Sequence, residues 1–242
     1  MERQKVRRIV LYISLALFPV TFYYLSPALI IIGASEGIVN GSFIVFTAML
    51  LGSIVLGRIW CGWICPGGGA GELSSKARNK RAPQGRWDLM KYLVFIPWIA
   101  LIAIMAVGAG GYSRIDPFYQ TVYGISILAP GAIFVMIGVL SLIFGLDLGF
   151  GRRAFCHYAC WMAPFNIIGT RIGDLTGIRL FKLKADNSKC ISCGSCTRIC
   201  PMGLDVQKMV AKGSMKNDEC VLCLSCVDTC PKKVISLGSS SS

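Results

Sequence analysis

Cys190-Ile191-Ser192-Cys193-Gly194-Ser195-Cys196-Thr197-Arg198-Ile199-Cys200-Pro201 is followed, thirty residues on, by Cys220-Val221-Leu222-Cys223-Leu224-Ser225-Cys226-Val227-Asp228-Thr229-Cys230-Pro231. Both are complete copies of Cys-x2-Cys-x2-Cys-x3-Cys-Pro. In a run of this spacing three thiolates wrap one iron–sulfur cube, and the fourth ligates the cube of the other run. Cys190, Cys193, Cys196 and Cys230 are therefore expected around one [4Fe–4S] cluster. Cys220, Cys223, Cys226 and Cys200 are expected around a second. Zinc needs four ligands rather than two runs of four, and disulfides do not persist in a reducing compartment.

Outward from these runs the composition changes. The 242 residues are 54% hydrophobic and only 15% charged, with mean hydropathy +0.61, which excludes a disordered chain and an ordinary soluble one. Four stretches of the first 150 residues, uncharged but for Lys91 at the start of the third, are long enough to cross a bilayer, with spans expected at 9–34, 37–57, 90–112 and 122–146. The first is too long for a cleavable leader and ends in no small-residue cleavage site. The net charge of +13 follows from topology. Arg3, Lys5, Arg7 and Arg8, then Arg58 to Lys91, then Arg152, Arg153, Arg171 and Arg179 all fall on one side, which the positive-inside rule makes cytoplasmic. Nucleic acid is not needed to explain the cations.

The expected fold is an α-helical membrane protein of four transmembrane helices in residues 1–150, with both termini in the cytoplasm. A basic interfacial linker over 151–186 leads to a C-terminal bacterial-type 2[4Fe–4S] ferredoxin (α+β) domain over 187–236, and 237–242 is a flexible tail. Within the linker, Phe165 to Leu183 reads as an amphipathic stretch at the lipid headgroups or as solvated chain. Lys189, Arg198, Lys232 and Lys233 flank the cysteines, where surface cations either dock an acidic partner or are simply solvated. Ile191, Ile199, Val221 and Val234 are expected to pack around the clusters.

Four further cysteines form two pairs, Cys61-Gly62-Trp63-Ile64-Cys65-Pro66 after the second span and Cys156-His157-Tyr158-Ala159-Cys160 after the fourth. The i, i+4 spacing predicts both sulfurs on one helical face. Two such pairs ending on the same side would supply a shared four-thiolate site for iron or an iron–sulfur centre, with zinc the other fit and inert buried thiols the bland alternative. Arg58, Arg152 and Arg153 would offset the thiolate charge. His157 is the sole histidine, so paired histidine ligation of haem within the chain is excluded; it reads as a hydrogen-bonding residue more than a proton relay. Gly67-Gly68-Gly69-Ala70-Gly71 lacks the ending of a phosphate loop and reads as a turn. No hydrolytic constellation is present.

The motif Arg58-Ile59-Trp60-Cys61-Gly62-Trp63-Ile64-Cys65-Pro66, the second Cys-x3-Cys, the four spans and the terminal double run resemble the NapH/NosR-type membrane iron–sulfur proteins. The second pair departs in its proline, which comes late at Pro164. The resemblance implies a subunit of the inner membrane that relays single electrons between cytoplasmic clusters and the quinone pool, a redox partner subunit or a cytoplasmic carrier. It also implies no covalent flavin, because the flavin-attachment motif of the larger members is missing. The alternative it leaves open is a metal-handling or assembly factor that uses its clusters to reduce or deliver metal.

Overall fold

The computed structural model describes residues 2–238. In chain order its elements are α1 (Glu2–Ala16), α2 (Phe18–Thr21), α3 (Pro27–Ser35), β1 (Ile38–Asn40), α4 (Gly41–Leu56), α5 (Ile59–Trp63), α6 (Pro66–Ala77), α7 (Met90–Gly108), β2 (Arg114–Asp116), α8 (Ala132–Phe150), α9 (Ala154–Tyr158) and α10 (Met162–Thr176). The ferredoxin part follows with β3 (Lys182–Ala185), α11 (Ser195–Ile199), α12 (Val206–Ala211), α13 (Ser225–Thr229) and β4 (Ile235–Gly238).

The protein is mostly helical, and two helices are long and apolar enough to cross a membrane: 86–108, which includes the turn before α7, and 132–150. Both turn large apolar side chains outward, Leu93, Ile96 and Val107 on α7 and Phe134 and Ile137 on α8, as surfaces against lipid do. The expected first span, 9–34, is broken. The α1 axis bends by 57° into the segment Phe18–Leu25, and α3 starts afresh at Pro27. Pro19 and Pro27 account for this, since each sits where a helix can begin but not continue. Counting the bent pair gives a third span; α4, at 16 residues, falls short of the length a straight span needs.

At the end away from the ferredoxin part, β1 pairs in parallel with β2, Ile38 opposite Arg114. The buried Asn40 side chain caps α4 by accepting from Phe43 N at 3.0 Å and also donates to the Leu29 carbonyl.

Residues 151–186 are not a linker. Most of α10 packs along α4, with Gly169 against Leu50 and Ser53 and Gly173 against the Ile54 backbone, contacts that any side chain would obstruct. The glycine-bearing face of α10 is therefore buried on protein, while Ile168, Ile172 and Leu175 stay exposed. In the same way α6 packs between α1 and α8. The helix that follows each cysteine pair thus leans on the long helix of the other half.

The ferredoxin unit is closed by an antiparallel pair, Lys182 opposite Gly238 and Ala185 opposite Ile235. This pairing moves its bounds outward from 187–236 and makes Leu237 and Gly238 strand rather than tail; the rest of the expected tail, 239–242, lies outside the described residues. Its core is Met202, Leu204, Val206, Val210, Val221 and Ile235. Val234 is buried there too; Ile191 is exposed yet lines the cavity among Cys190, Cys193, Cys196 and Cys230, whereas Ile199 is exposed and does not pack inward as expected.

Candidate metal centres

Two small cavities open within the ferredoxin unit. Cys190, Cys193, Cys196 and Cys230 line one, together with Ile191, Val210 and Val234. Cys200, Cys220, Cys223 and Cys226 line the other, with Leu183, Met202, Leu204 and Met215. The chain wraps each cavity through left-handed residues: Ser192 and Gly194 in the first run, Leu222 and Leu224 in the second. Leucine rarely adopts that conformation, so the surrounding structure must hold it there. Burial, then the neighbouring Cys223 thiolate, pushes Cys200 up to about 12, and burial with four neighbouring cysteines raises Cys226 as well. Thiols packed this closely cannot ionise together without a positive core between them, which is the chemistry of an iron–sulfur donor set.

Cys61, Cys65, Cys156 and Cys160 stand where the ferredoxin unit meets the apolar helices. Cys61 and Cys156 pack against the ferredoxin core, while Cys65 and Cys160 are buried in the core of the helical part. The one-face helical geometry expected of each pair does not hold. α5 ends at Trp63 and α9 at Tyr158, so the second cysteine of each pair lies beyond its helix. The two loops close alike: Ile64 N and Cys65 N both donate to Trp60 O at 3.0 Å, as Ala159 N and Cys160 N both donate to Phe155 O at 3.0 Å. Arg58, Cys61 and Cys65 thus recur as Arg153, Cys156 and Cys160 in an internal repeat that motif reading did not draw.

Burial, then the charge of Cys61, raises Cys65 to about 11, and burial, then the charges of Cys65 and Cys61, raises Cys160 to about 12. The backbone N–H groups of Gly67 and Gly68 face the Cys65 sulfur, and those of Met162 and Ala163 face Cys160. This donor set fits a centre that supplies positive charge. Among the described residues no three Cys, His, Asp or Glu side chains converge closely enough for a single metal ion.

A buried ionic layer joins the parts. Glu72 accepts from Arg7 at 2.8 Å and Arg153 at 3.3 Å. Glu219, next to Cys220, accepts from Arg58 at 3.1 Å and also from Lys91. Burial opposes the charge of both carboxyls, yet their paired cations hold them below the ordinary glutamate range. Arg152, expected beside the Cys-x3-Cys thiolates, instead donates to the carbonyls of Arg198 and Cys200 at 2.9 and 3.1 Å. His157 is fully buried, with Nδ1 2.7 Å from Asp88 and Nε2 3.0 Å from the Met202 carbonyl. Both ring nitrogens face acceptors, so it is a structural bridge between the second cysteine pair and the ferredoxin unit. The Trp63 indole donates to Leu222 O at 3.1 Å. Gly62 lies so close to Val221 O that a Cβ has no room.

Sequence reasoning missed Gly62, Glu72, Glu219 and Asp147. Acidic residues are few in this chain, and Asp147 interrupts the last turn of an apolar helix; both were available signals.

The sequence matches the 4Fe-4S binding domain twice, over residues 41–83 and 128–171, and the 4Fe-4S dicluster domain over 182–231. The two matches to the first domain each enclose one Cys-x3-Cys pair. The chain belongs to the membrane-associated ferredoxin-type electron transport proteins of the NapH/NosR-like kind. It is 27% identical over 194 residues to the putative electron transport protein YccM of Escherichia coli, covering 75% of this chain and 52% of that one. It is 26% identical to the methylamine utilization ferredoxin-type protein MauN of Methylobacillus flagellatus, covering 69% and 59%. The nitrogen fixation protein FixG of Rhizobium meliloti is 24% identical, covering 79% and 39%. The chain thus spans about half the length of such relatives. No solved structure matches.

Proposed function

We propose that the protein is an inner-membrane electron relay of four spans, with its ferredoxin unit in the cytoplasm. Two [4Fe–4S] clusters would be held by Cys190, Cys193, Cys196 and Cys230 and by Cys220, Cys223, Cys226 and Cys200. A third iron–sulfur centre would be shared by Cys61, Cys65, Cys156 and Cys160. The clusters supply one-electron carriers; the chain fixes their order. The observation that carries this reading is the row of cysteines from the exposed Cys193, through the two ferredoxin cavities, to Cys65 and Cys160 among the apolar helices.

The outlet in this reading is a quinone or a membrane partner. A groove of about 450 Å³ between α1 and α4 is lined by Val10, Ile13, Leu17, Val45, Trp60 and Ile64 and reaches Pro66, beside Cys65. The buried Trp60 indole N–H there has no partner, a donor that a quinone oxygen would accept. Metal delivery is the weaker reading, since of the twelve cysteines Cys193 alone is exposed. The test is anaerobic mixing of dithionite-reduced protein with a quinone analogue. Reoxidation of the cluster absorbance in wild type, slowed in Trp60→Phe, supports the relay. Clusters that stay reduced in wild type defeat the quinone outlet.

A further inference from the structure

The buried charges around the Cys-x3-Cys pairs do not balance. Glu72 serves both Arg7 and Arg153, and Glu219 serves both Arg58 and Lys91, so each carboxylate is shared by two cations. All four cations are almost completely buried. Four buried cations thus face two carboxylates, an excess of two. An uncompensated charge in such a place is costly, and the usual resolution is a partner of opposite sign.

Two of these cations occupy equivalent places in the internal repeat. Arg58 precedes Cys61 by three residues, and Arg153 precedes Cys156 by three. Each keeps a buried Nε–H with no hydrogen-bond partner. Arg153 reaches out of its own repeat to donate to Cys61 O at 3.2 Å and Gly68 O at 3.3 Å, on the loop of the other pair. Arg58 lies within electrostatic reach of Cys61 and Cys160, and Arg153 of Cys156, Cys223 and Cys65, so each reaches one cysteine of each pair.

We propose that Arg58 and Arg153 are positioning residues that form a buried counter-charge for one dianionic four-thiolate iron–sulfur centre shared by the two repeats, and that they raise its reduction potential. Four thiolates around an oxidised iron–sulfur core of two positive charges leave two negative charges, which matches the excess of two cations. A reduced centre carries one more negative charge, so the same two guanidiniums favour reduction. The two unpartnered Nε–H groups are donors aimed at no protein acceptor and suit sulfur, whose hydrogen bonds also raise cluster potentials. This inference rests on the proposed four-cysteine centre.

The test uses full-length protein in nanodiscs, titrated with dithionite at controlled potential and followed by electron paramagnetic resonance and iron analysis. Cys65→Ser and Cys160→Ser first identify the central signal; if neither variant loses iron or a signal, the four-cysteine reading itself fails. At the wild-type midpoint, Arg58→Gln and Arg153→Gln should each lower the reduced-to-oxidised ratio of that signal about tenfold, which is ~59 mV for one electron. Glu72→Gln should move it the opposite way, and Arg153→Lys should restore most of the loss. The signal of the cluster at Cys190 should stay in place. Each Gln variant leaves its carboxylate one cation, so the fold has a partner for it. Should an Arg variant lose the centre outright, the sign of the Glu72→Gln shift decides. An unmoved central potential, or a shift in the same direction for Glu72→Gln as for the Arg variants, overturns the inference.

Discussion

Replacing Gly62 with alanine tests whether the first Cys-x3-Cys loop is a seat for the ferredoxin unit. The new Cβ would fall far inside contact distance of the Val221 carbonyl and also meet Cys223 N, at 3.5 Å. Both neighbours are backbone, so no rotamer change relieves the clash and the loop before Cys223 must lift. Overpacking of this kind costs about 1–3 kcal/mol. Lifting also stretches the Trp63-to-Leu222 bond of 3.1 Å and the Arg7-to-Gly62 bond of 3.2 Å, about 1 kcal/mol each. The sum, about 3–5 kcal/mol, raises the opening equilibrium roughly a hundred- to several-thousandfold. Hydrogen exchange read by mass spectrometry on peptides spanning 219–224 should accelerate accordingly, while Val210 in the ferredoxin core keeps its protection. Unchanged exchange at 219–224 in folded Gly62→Ala protein would refute the close seating.

Cys200→Ser should abolish the resonance of the cluster built on Cys220, Cys223 and Cys226 and spare that of the Cys190 run; loss of the latter alone would reverse the ligand assignment. A single cysteine at the exposed Tyr123, in a background without reactive thiols, should react with an impermeant reagent in intact cells while one at the exposed Lys212 does not, and the opposite pattern inverts the topology. Gly173→Ala should cost about 1–3 kcal/mol by forcing α10 off the Ile54 backbone, read as a lower unfolding temperature in detergent. The depressed pKa of Glu219 means that its stabilisation is complete above the ordinary value of 4.5 and is lost as pH falls through the lower folded value. Acid exposure of Trp63, followed by fluorescence in metal-free protein, should therefore begin below about pH 4.5 and be blunted in Glu219→Gln.

That the ferredoxin cysteines gather around two cavities was readable because their spacing is a local code, written in one short run of chain and its copy. The apolar runs at 90–112 and 122–146 were equally plain, since hydropathy over twenty residues needs no tertiary knowledge. An uncharged run does not report its direction, however, and Pro19 and Pro27 bent the first one out of line. The stretch 165–183 was half legible: its exposed Ile168, Ile172 and Leu175 form the apolar side of an amphipathic helix, but its glycines do not announce that Gly169 and Gly173 admit α4 on the other side. The pairing within the ionic layer was beyond sequence, because nothing near Glu72 or Glu219 in the chain names the distant Arg153 or Lys91.

The exchange of α6 and α10 between the two halves bears on how the protein is made. The first cysteine loop is synthesised early, but α6 has only α1 to lean on until α8 is in place, and one side of α4 stays uncovered until α10 is complete. Domains of a growing chain usually settle from the N-terminus onward. Here the first half must wait for the second, and Cys61 and Cys65 meet their counterparts only after some 160 residues have been translated. Iron would then have to be inserted late, into an almost finished chain, rather than picked up as each cysteine emerges.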